Sequence, residues 1–246
     1  MRGFLSMKRY NTQAFVLKNI KYKDSDKVFT LFSKDLGKIS AVARGVRKIS
    51  SRRAGNLDTL NLVSISIREN LNAFNDIEEV KTIESYKDLK RDLKKSLTAY
   101  YLIELIHKSI EEGEQNEDLF DLLQKSLEMI QKTSDPDFVV NYFEMHLMNL
   151  LGYKMTLDKC RVCGRALTKL WLKYLFNVEN GSFECEKCSK YGVGISKEAA
   201  LGMFYLYKLK TTPDLKNVAS EIDKIMKIYI GRKLESRFKS LEIDKG

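Results

Sequence analysis

Near residue 87 the hydrophobic pattern of this chain changes from a period of two to a period of about four. No single regular architecture holds both, so the chain must switch architecture there. On the N-terminal side, Phe15–Leu17, Val28–Phe32, Ile39–Val42, Leu60–Ile67 and Leu71–Val80 are short segments rich in β-branched and aromatic residues. Between Leu62 and Ile67 the alternation is clear, with Val63, Ile65 and Ile67 on one face and Leu62, Ser64 and Ser66 on the other. Ser33-Lys34-Asp35-Leu36-Gly37 separates the second and third segments and puts Gly37 where a hairpin loop needs a positive φ. Five strands without an intervening helix predict a small antiparallel barrel. The five-stranded oligonucleotide-binding (OB) barrel is the natural expectation, and an SH3-like barrel of similar strand count stays open at this point.

Beyond Lys87 the pattern is helical. Leu89, Leu93, Leu97, Tyr101 and Leu105 recur every four residues, with Gly113 as a stop. Leu119, Leu122, Leu123, Leu127 and Ile130 form a second stripe. Asp135-Pro136 supplies an N-cap and a first-turn proline for a helix that carries Phe138, Tyr142, Phe143 and Leu147 and ends at Gly152. Ser196 caps a fourth helix running to about Lys210, and after Thr212-Pro213 a last helix reaches about Phe238. These stripes predict core packing in a helical domain. The fold class expected is α+β multidomain: a barrel over residues 1–84, helices over 85–154 and 195–246, and a cysteine-bearing insert over 155–194.

All four cysteines lie in that insert as two C-x2-C pairs, Cys160/Cys163 and Cys185/Cys188, with 21 residues between the pairs. A C-x2-C turn aims two thiolates at one ion, and two such turns complete a tetrahedral shell with Zn–S distances of about 2.3 Å. Four thiolates leave no position for water, so the expected ion is one structural zinc. The stretch Leu170–Phe176, with Gly181 and Phe183, predicts a short hairpin between the pairs. A disulfide pair or a redox dithiol fits the doubled spacing less well. His107 and His146 fall on helical stretches away from the cysteines and are read as packing residues.

Charge is distributed unevenly. Residues 1–70 carry 15 Lys/Arg against 5 Asp/Glu, and the remainder carries 28 against 28, so the whole net charge of +10 sits on the barrel segment. No acidic residue occurs between Asp35 and Asp58, an interval holding Lys38, Arg44, Arg47, Lys48, Arg52 and Arg53. Arginine forks match phosphate oxygens, Ser50 and Ser51 can add neutral contacts, and Gly45 lets the backbone approach a ligand. These six basic residues are the candidate nucleic-acid contacts, against the plainer reading of a solvated charged surface. Phe15, Tyr22, Phe29 and Phe32 are candidate base-stacking residues, each also a natural core residue.

The chain holds no P-loop, no G-x-S-x-G and no acidic cluster suited to a nuclease metal pair, so it is read as a non-enzyme. No apolar run approaches the roughly 18 residues that span a bilayer, and the N-terminus is too polar for a signal peptide. A cytoplasmic, nucleoid-associated protein without membrane partners is expected.

With these residues in hand, the sequence resembles the bacterial RecO family of recombination and DNA-repair mediators. The resemblance covers nearly the whole chain from about Thr12, and the four cysteines complete it. It is carried by Ala14-Phe15-Val16-Leu17, Asp24-Ser25-Asp26-Lys27, Leu36-Gly37-Lys38-Ile39 and Ala43-Arg44-Gly45-Val46-Arg47-Lys48 followed by Ser51-Arg52. Farther on it is carried by Phe143-Glu144, Leu150-Leu151-Gly152-Tyr153 and Leu157-Asp158-Lys159-Cys160. Lys154-Met155 stands where the family often has a proline. The resemblance implies an OB-fold, a helical domain and a zinc module. It also implies binding of single- and double-stranded DNA, annealing of complementary strands and partnership with RecR. Finally, it implies docking of the acidic C-terminal tail of single-strand-binding protein and help in loading RecA onto DNA coated by that protein. A zinc-ribbon RNA-binding or translation-associated factor built on the same barrel is the alternative, and an enzyme with a catalytic zinc is disfavoured by the closed thiolate shell.

Overall fold

A computed structural model describes residues 8–49, 51, 53–70, 73–189, 191–208 and 217–234. The chain forms two compact units, one up to Asp121 and one from Leu122 onward.

In the first unit, β1 (Arg9–Tyr22), β2 (Asp26–Ser33), β3 (Gly37–Ala43), β4 (Leu62–Arg68) and β5 (Asn75–Glu84) close into a barrel in the order β1-β2-β3-β5-β4. Closure comes from β1 pairing with both β2 and β4. A short parallel step, Ala41 and Val42 against Asn75 and Asp76, joins β3 to β5. This is the OB order, and it settles the choice between barrels. Alternation fills the interior with Ala14, Val16, Phe29, Leu31, Ile39, Ala41, Val63, Ile65, Ile67 and Ile77. β1 to β3 run longer than their apolar kernels, because ladder hydrogen bonds continue through residues whose side chains face water, while β4 begins two residues after Leu60 and β5 lies four residues farther along than the expected segment. Gly37 has φ +69°, as its hairpin position requires, and a Cβ there would lie 2.1 Å from the Glu114 carbonyl oxygen.

Phe15 and Phe32 point out of the barrel and are still fully buried, their rings 5.0 and 5.8 Å from Phe120. Phe29 is inside. Three of the four aromatics proposed for base stacking are therefore core, which corrects that expectation. The half-buried Tyr22 remains at the surface.

Helices α1 (Lys87–Arg91) and α2 (Leu93–Ser109) follow. Asp92 separates them, with extended backbone and a side chain that accepts from the Lys95 N–H at 3.0 Å. The four-residue stripe expected here is not a core stripe. Leu89 and Leu105 are buried, but Leu93 is 75% and Leu97 62% exposed; the buried face is Ala99, Leu102, Ile103, Leu105 and Ile106. At about 100° per residue, steps of four drift about 40° each around the helix. The helix also ends at Ser109, four residues short of Gly113.

α3 (Glu117–Lys132) begins in the first unit and ends in the second. All five apolar residues of its expected stripe, Leu119 to Ile130, are buried. α4 (Asp137–Leu150) starts one residue later than the proline signal suggests, with Pro136 as the cap residue, and stops at Leu150, two residues before Gly152 with φ +89°. α5 (Lys197–Lys208) is capped as expected, the Ser196 hydroxyl accepting from the Ala199 N–H at 3.1 Å. α6 (Ala219–Leu234) packs on α4, and the buried Asn141 amide donates to the Ala219 carbonyl at 3.0 Å. Leu71, Lys210, Thr212-Pro213 and the last helix beyond Leu234 lie outside the described residues. Among the described residues no helix is long and apolar enough to cross a membrane.

Candidate metal centre and nucleic-acid surface

Between α4 and α5 the chain forms a three-stranded ribbon of β6 (Tyr174–Asn177), β7 (Ser182–Cys185) and β8 (Val193–Ile195), ordered β7-β6-β8. The expected hairpin is β6–β7, turned at Gly181 with φ +62°; β8 is an addition, too short at three residues to leave a period. A Cβ on Gly181 would meet the Tyr229 hydroxyl at 2.5 Å, so the turn is seated against α6.

The cysteines stand at one end of this ribbon. The Gly164 N–H donates to the Cys160 carbonyl and the Cys160 N–H to the Arg165 carbonyl, at 2.9 and 2.8 Å, which folds the first pair into a knuckle. Gly164 has φ +73°, which such a tight turn demands. The Cys188 N–H donates to the Cys185 carbonyl at 3.0 Å in the second knuckle. All four sulfurs lie within 4.8 Å of one another, and Cys163 and Cys185 are 3.8 Å apart. A tetrahedral shell with Zn–S bonds of about 2.3 Å has sulfur–sulfur edges of about 3.8 Å, so the donor set fits such an ion. Cys160 and Cys185 are buried, and Cys163 is exposed. Arg165 and Glu186, one beside each knuckle, pair at 2.8 Å.

Protonation is divided unequally among the thiols. Burial raises Cys160, but the backbone N–H groups of Cys163, Cys185 and Val162 donate to its sulfur and bring it down to about 7. Contacts with the Cys163 and Cys185 sulfurs push Cys188 up to about 12. Thiol ligands must lose their protons to bind a divalent cation, so metal binding at this cluster would release protons.

The basic stretch leaves β3 at Ala43 and forms a folded loop. The Asp26 carboxylate accepts from the Gly45 N–H at 2.7 Å, a bond that holds the carboxyl below its ordinary value of 3.8. The Arg47 N–H donates to the Ser25 carbonyl at 3.0 Å. The loop is thereby pinned to the β1–β2 turn. Arg44 donates through Nε to the buried Asp76 carboxylate at 2.8 Å, while its side chain stays 64% exposed. Arg68 donates to the other oxygen of Asp76 at 3.0 Å. The hydrogen bond from Arg44 is the main cause holding Asp76 below 3.8, with Arg68 adding to it. A buried carboxylate thus fixes the direction of an exposed guanidinium.

The other candidates differ in how much of their charge faces solvent. Arg44, Lys48 and Arg53 line one cleft of about 570 Å³ together with Ser25, Asp26, Gly45 and Ser51. Arg53 donates to the carbonyls of Ile77 and Arg44 at 3.1 and 2.6 Å, bracing the loop from within. Arg47 reaches back to the Asp24 carbonyl at 2.9 Å. Lys48 makes no side-chain hydrogen bond among the described residues and is exposed. Lys38 is directed elsewhere, its ammonium donating to the carbonyls of His107, at 2.9 Å, and Ile110. Arg52 and Ser50 lie outside the described residues. Asp76 and Phe74 did not emerge from the sequence reading. Asp76 faces Arg68 across the β4–β5 ladder, and that cross-strand pair of opposite charges is a signal once the register is known.

Comparison with known proteins adds to this geometry. Residues 7–86 match the family described as "Recombination protein O N terminal" and residues 90–242 the family described as "Recombination protein O C terminal". The chain is 32% identical over 243 residues to the DNA repair protein RecO of Thermoanaerobacter sp. (strain X514), covering 95% of this chain and 96% of that protein. It is 30% identical to the protein of the same name from Syntrophus aciditrophicus (strain SB), over 95% of this chain and 94% of the relative. It is also 30% identical to that of Alkaliphilus metalliredigens (strain QYMF), over 95% and 98%.

Proposed function

Because the chain belongs to the RecO family of recombination and DNA-repair proteins, we propose that it is a non-catalytic recombination mediator whose barrel binds DNA. In this reading residues 1–84 bind single- and double-stranded DNA through the loop that carries Arg44, Arg47, Lys48, Arg52 and Arg53. The protein anneals complementary strands and, with RecR, helps load RecA onto DNA coated by single-strand-binding protein, whose C-terminal tail it engages. Residues 155–194 hold one structural zinc ion on Cys160, Cys163, Cys185 and Cys188. The protein works in the cytoplasm, at the nucleoid.

One observation carries the reading: the cleft where Arg44, Lys48 and Arg53 converge on a loop pinned by Asp26 and Asp76. An anion entering it meets an Arg44 guanidinium already oriented by Asp76, so less ordering entropy is lost on binding. Neutralised phosphates release counterions, so affinity should fall steeply with salt.

The test is annealing of complementary strands pre-coated with their cognate single-strand-binding protein, with and without this protein. Acceleration supports a mediator that engages both DNA and its coat. Tight binding to bare DNA with no acceleration leaves a general nucleic-acid binder, and preference for RNA over DNA of equal length moves the translation-associated reading to the front. Within the same assay Arg47→Glu with Arg52→Glu should weaken DNA binding while the far-ultraviolet spectrum is unchanged. Normal binding by that double variant would place the DNA elsewhere.

A further inference from the structure

The barrel buries three of its aromatic rings, Phe15, Phe29 and Phe32, at no more than 1% exposure, and leaves Tyr10, Tyr22 and Phe74 partly in solvent. Two of these are kept together at the surface. Tyr22 ends β1 and Phe74 immediately precedes β5; barrel closure brings these distant positions to ring centroids 5.8 Å apart, edge to face at 85°. Phe74 is 41% exposed. The Lys23 ammonium stands 5.2 Å from the Tyr22 ring centre.

The pair lines a small cleft with Lys23, Asp26, Val42, Arg44 and Ala73. Asp26 and Arg44 also line the loop cleft, so the two depressions share a wall. One exposed ring is ordinary at a protein surface. An aromatic pair adjoining a guanidinium whose direction is set by a buried carboxylate is a more specific arrangement. It offers an apolar face and an anion site side by side, as the base and phosphate of one nucleotide require.

We propose that Tyr22 and Phe74 form a stacking platform for unpaired bases, with Arg44 and Lys48 taking the adjoining phosphates of a single DNA strand. The proposal rests on the reading of the basic loop as a DNA surface and adds a discriminating element to it. Phosphate contacts do not distinguish a single strand from a duplex. A stacking ring does, because the faces of paired bases are already covered by their neighbours.

The experiment compares three fluorescent ligands of equal length: single-stranded oligo-dT, an abasic strand of the same phosphate spacing, and a duplex. Base–aromatic stacking at about 1–3 kcal/mol per base predicts that Phe74→Ala loses about 5-fold to about 150-fold in affinity for oligo-dT. Affinity for the duplex and the abasic strand should change by less than about twofold, since neither presents a free base face. Phe74→Leu, which keeps an apolar side chain at the site and guards against a folding defect, should lose as much as Phe74→Ala. Phe74→Trp should restore binding, and its indole fluorescence should be quenched by oligo-dT. Equal losses on all three ligands, or none on oligo-dT, overturn the platform while leaving the phosphate surface intact. Failure of the unmodified protein to bind any of the three ligands overturns the DNA surface itself.

Discussion

The barrel and the cysteine ribbon are both small β-structures, but they are held together in different ways. The barrel closes its five strands on themselves, leaves no free edge and encloses a continuous apolar interior. The ribbon has three strands of three or four residues, is not closed on itself, and has large apolar side chains in water near it: Leu170, Leu172 and Tyr191 are each more than four-fifths exposed. A sheet of that size cannot bury enough surface to fold by the hydrophobic effect alone. Its four converging sulfurs could hold a metal ion, which in the proposed reading supplies the missing constraint. The difference also divides the surfaces: a self-sufficient barrel is free to spend its outer loops on charge, whereas the ribbon commits its loop ends to four converging thiols.

The largest effect expected from this contrast is at the metal. Cys185→Ser should abolish stoichiometric zinc binding and remove amide protection across β6 to β8, because in such modules metal binding and folding are one equilibrium worth of the order of 10 kcal/mol. Protection in β1 to β5 should be unchanged; its loss would break the comparison. The sign with pH is fixed by thiol chemistry. Ligand thiols must lose protons, so affinity for zinc falls as pH is lowered, read by metal release to a chelator.

Next is the barrel wall. Phe32→Ala empties a fully buried site against Phe120 and should cost about 3–5 kcal/mol in urea unfolding, with zinc content unaltered.

A smaller effect tests the buttress of the basic loop. Asp76→Asn removes the charge that aligns Arg44 and Arg68 and should cost about 1–3 kcal/mol at neutral pH. The Asp76 carboxyl is held below 3.8, so its contribution is present above that value and is lost as pH falls through the lowered native one. The gap between variant and wild type in urea should therefore close on acidification below about pH 4. A gap that stays constant would remove the carboxylate from the account.

The smallest effect is on α2. Leu97→Ser should change stability by no more than about 0.5 kcal/mol despite its place in an apolar period, because the side chain is already in water.

That last residue shows where reading from sequence stops. The cysteine quartet was legible because its chemistry is local: two residues between thiols are enough to make a knuckle. The strand alternation of Val63, Ile65 and Ile67 was legible because a period of two keeps its phase. Leu93 and Leu97 misled because a step of four does not keep phase on a helix, and because the break at Asp92 restarts the turn count. The basic interval was visible as charge but not as direction. Lys38 and Arg53 are occupied by backbone carbonyls, and the acid that aims Arg44 lies 32 residues downstream. Phe74 was invisible for the same reason, since only closure of the barrel sets it beside Tyr22.

The turn of Lys38 away from the surface has a consequence for motion. Its ammonium grips the last carbonyls of α2, and its own carbonyl accepts from the Gly113 N–H at 2.8 Å. Strand β3 is thereby joined through the Lys38 side chain to the end of α2 and through its backbone to the loop that follows. Neither end can fray without breaking the other's bonds, so the amides of β3 and of the final turn of α2 should exchange with deuterium together, as one cooperative block.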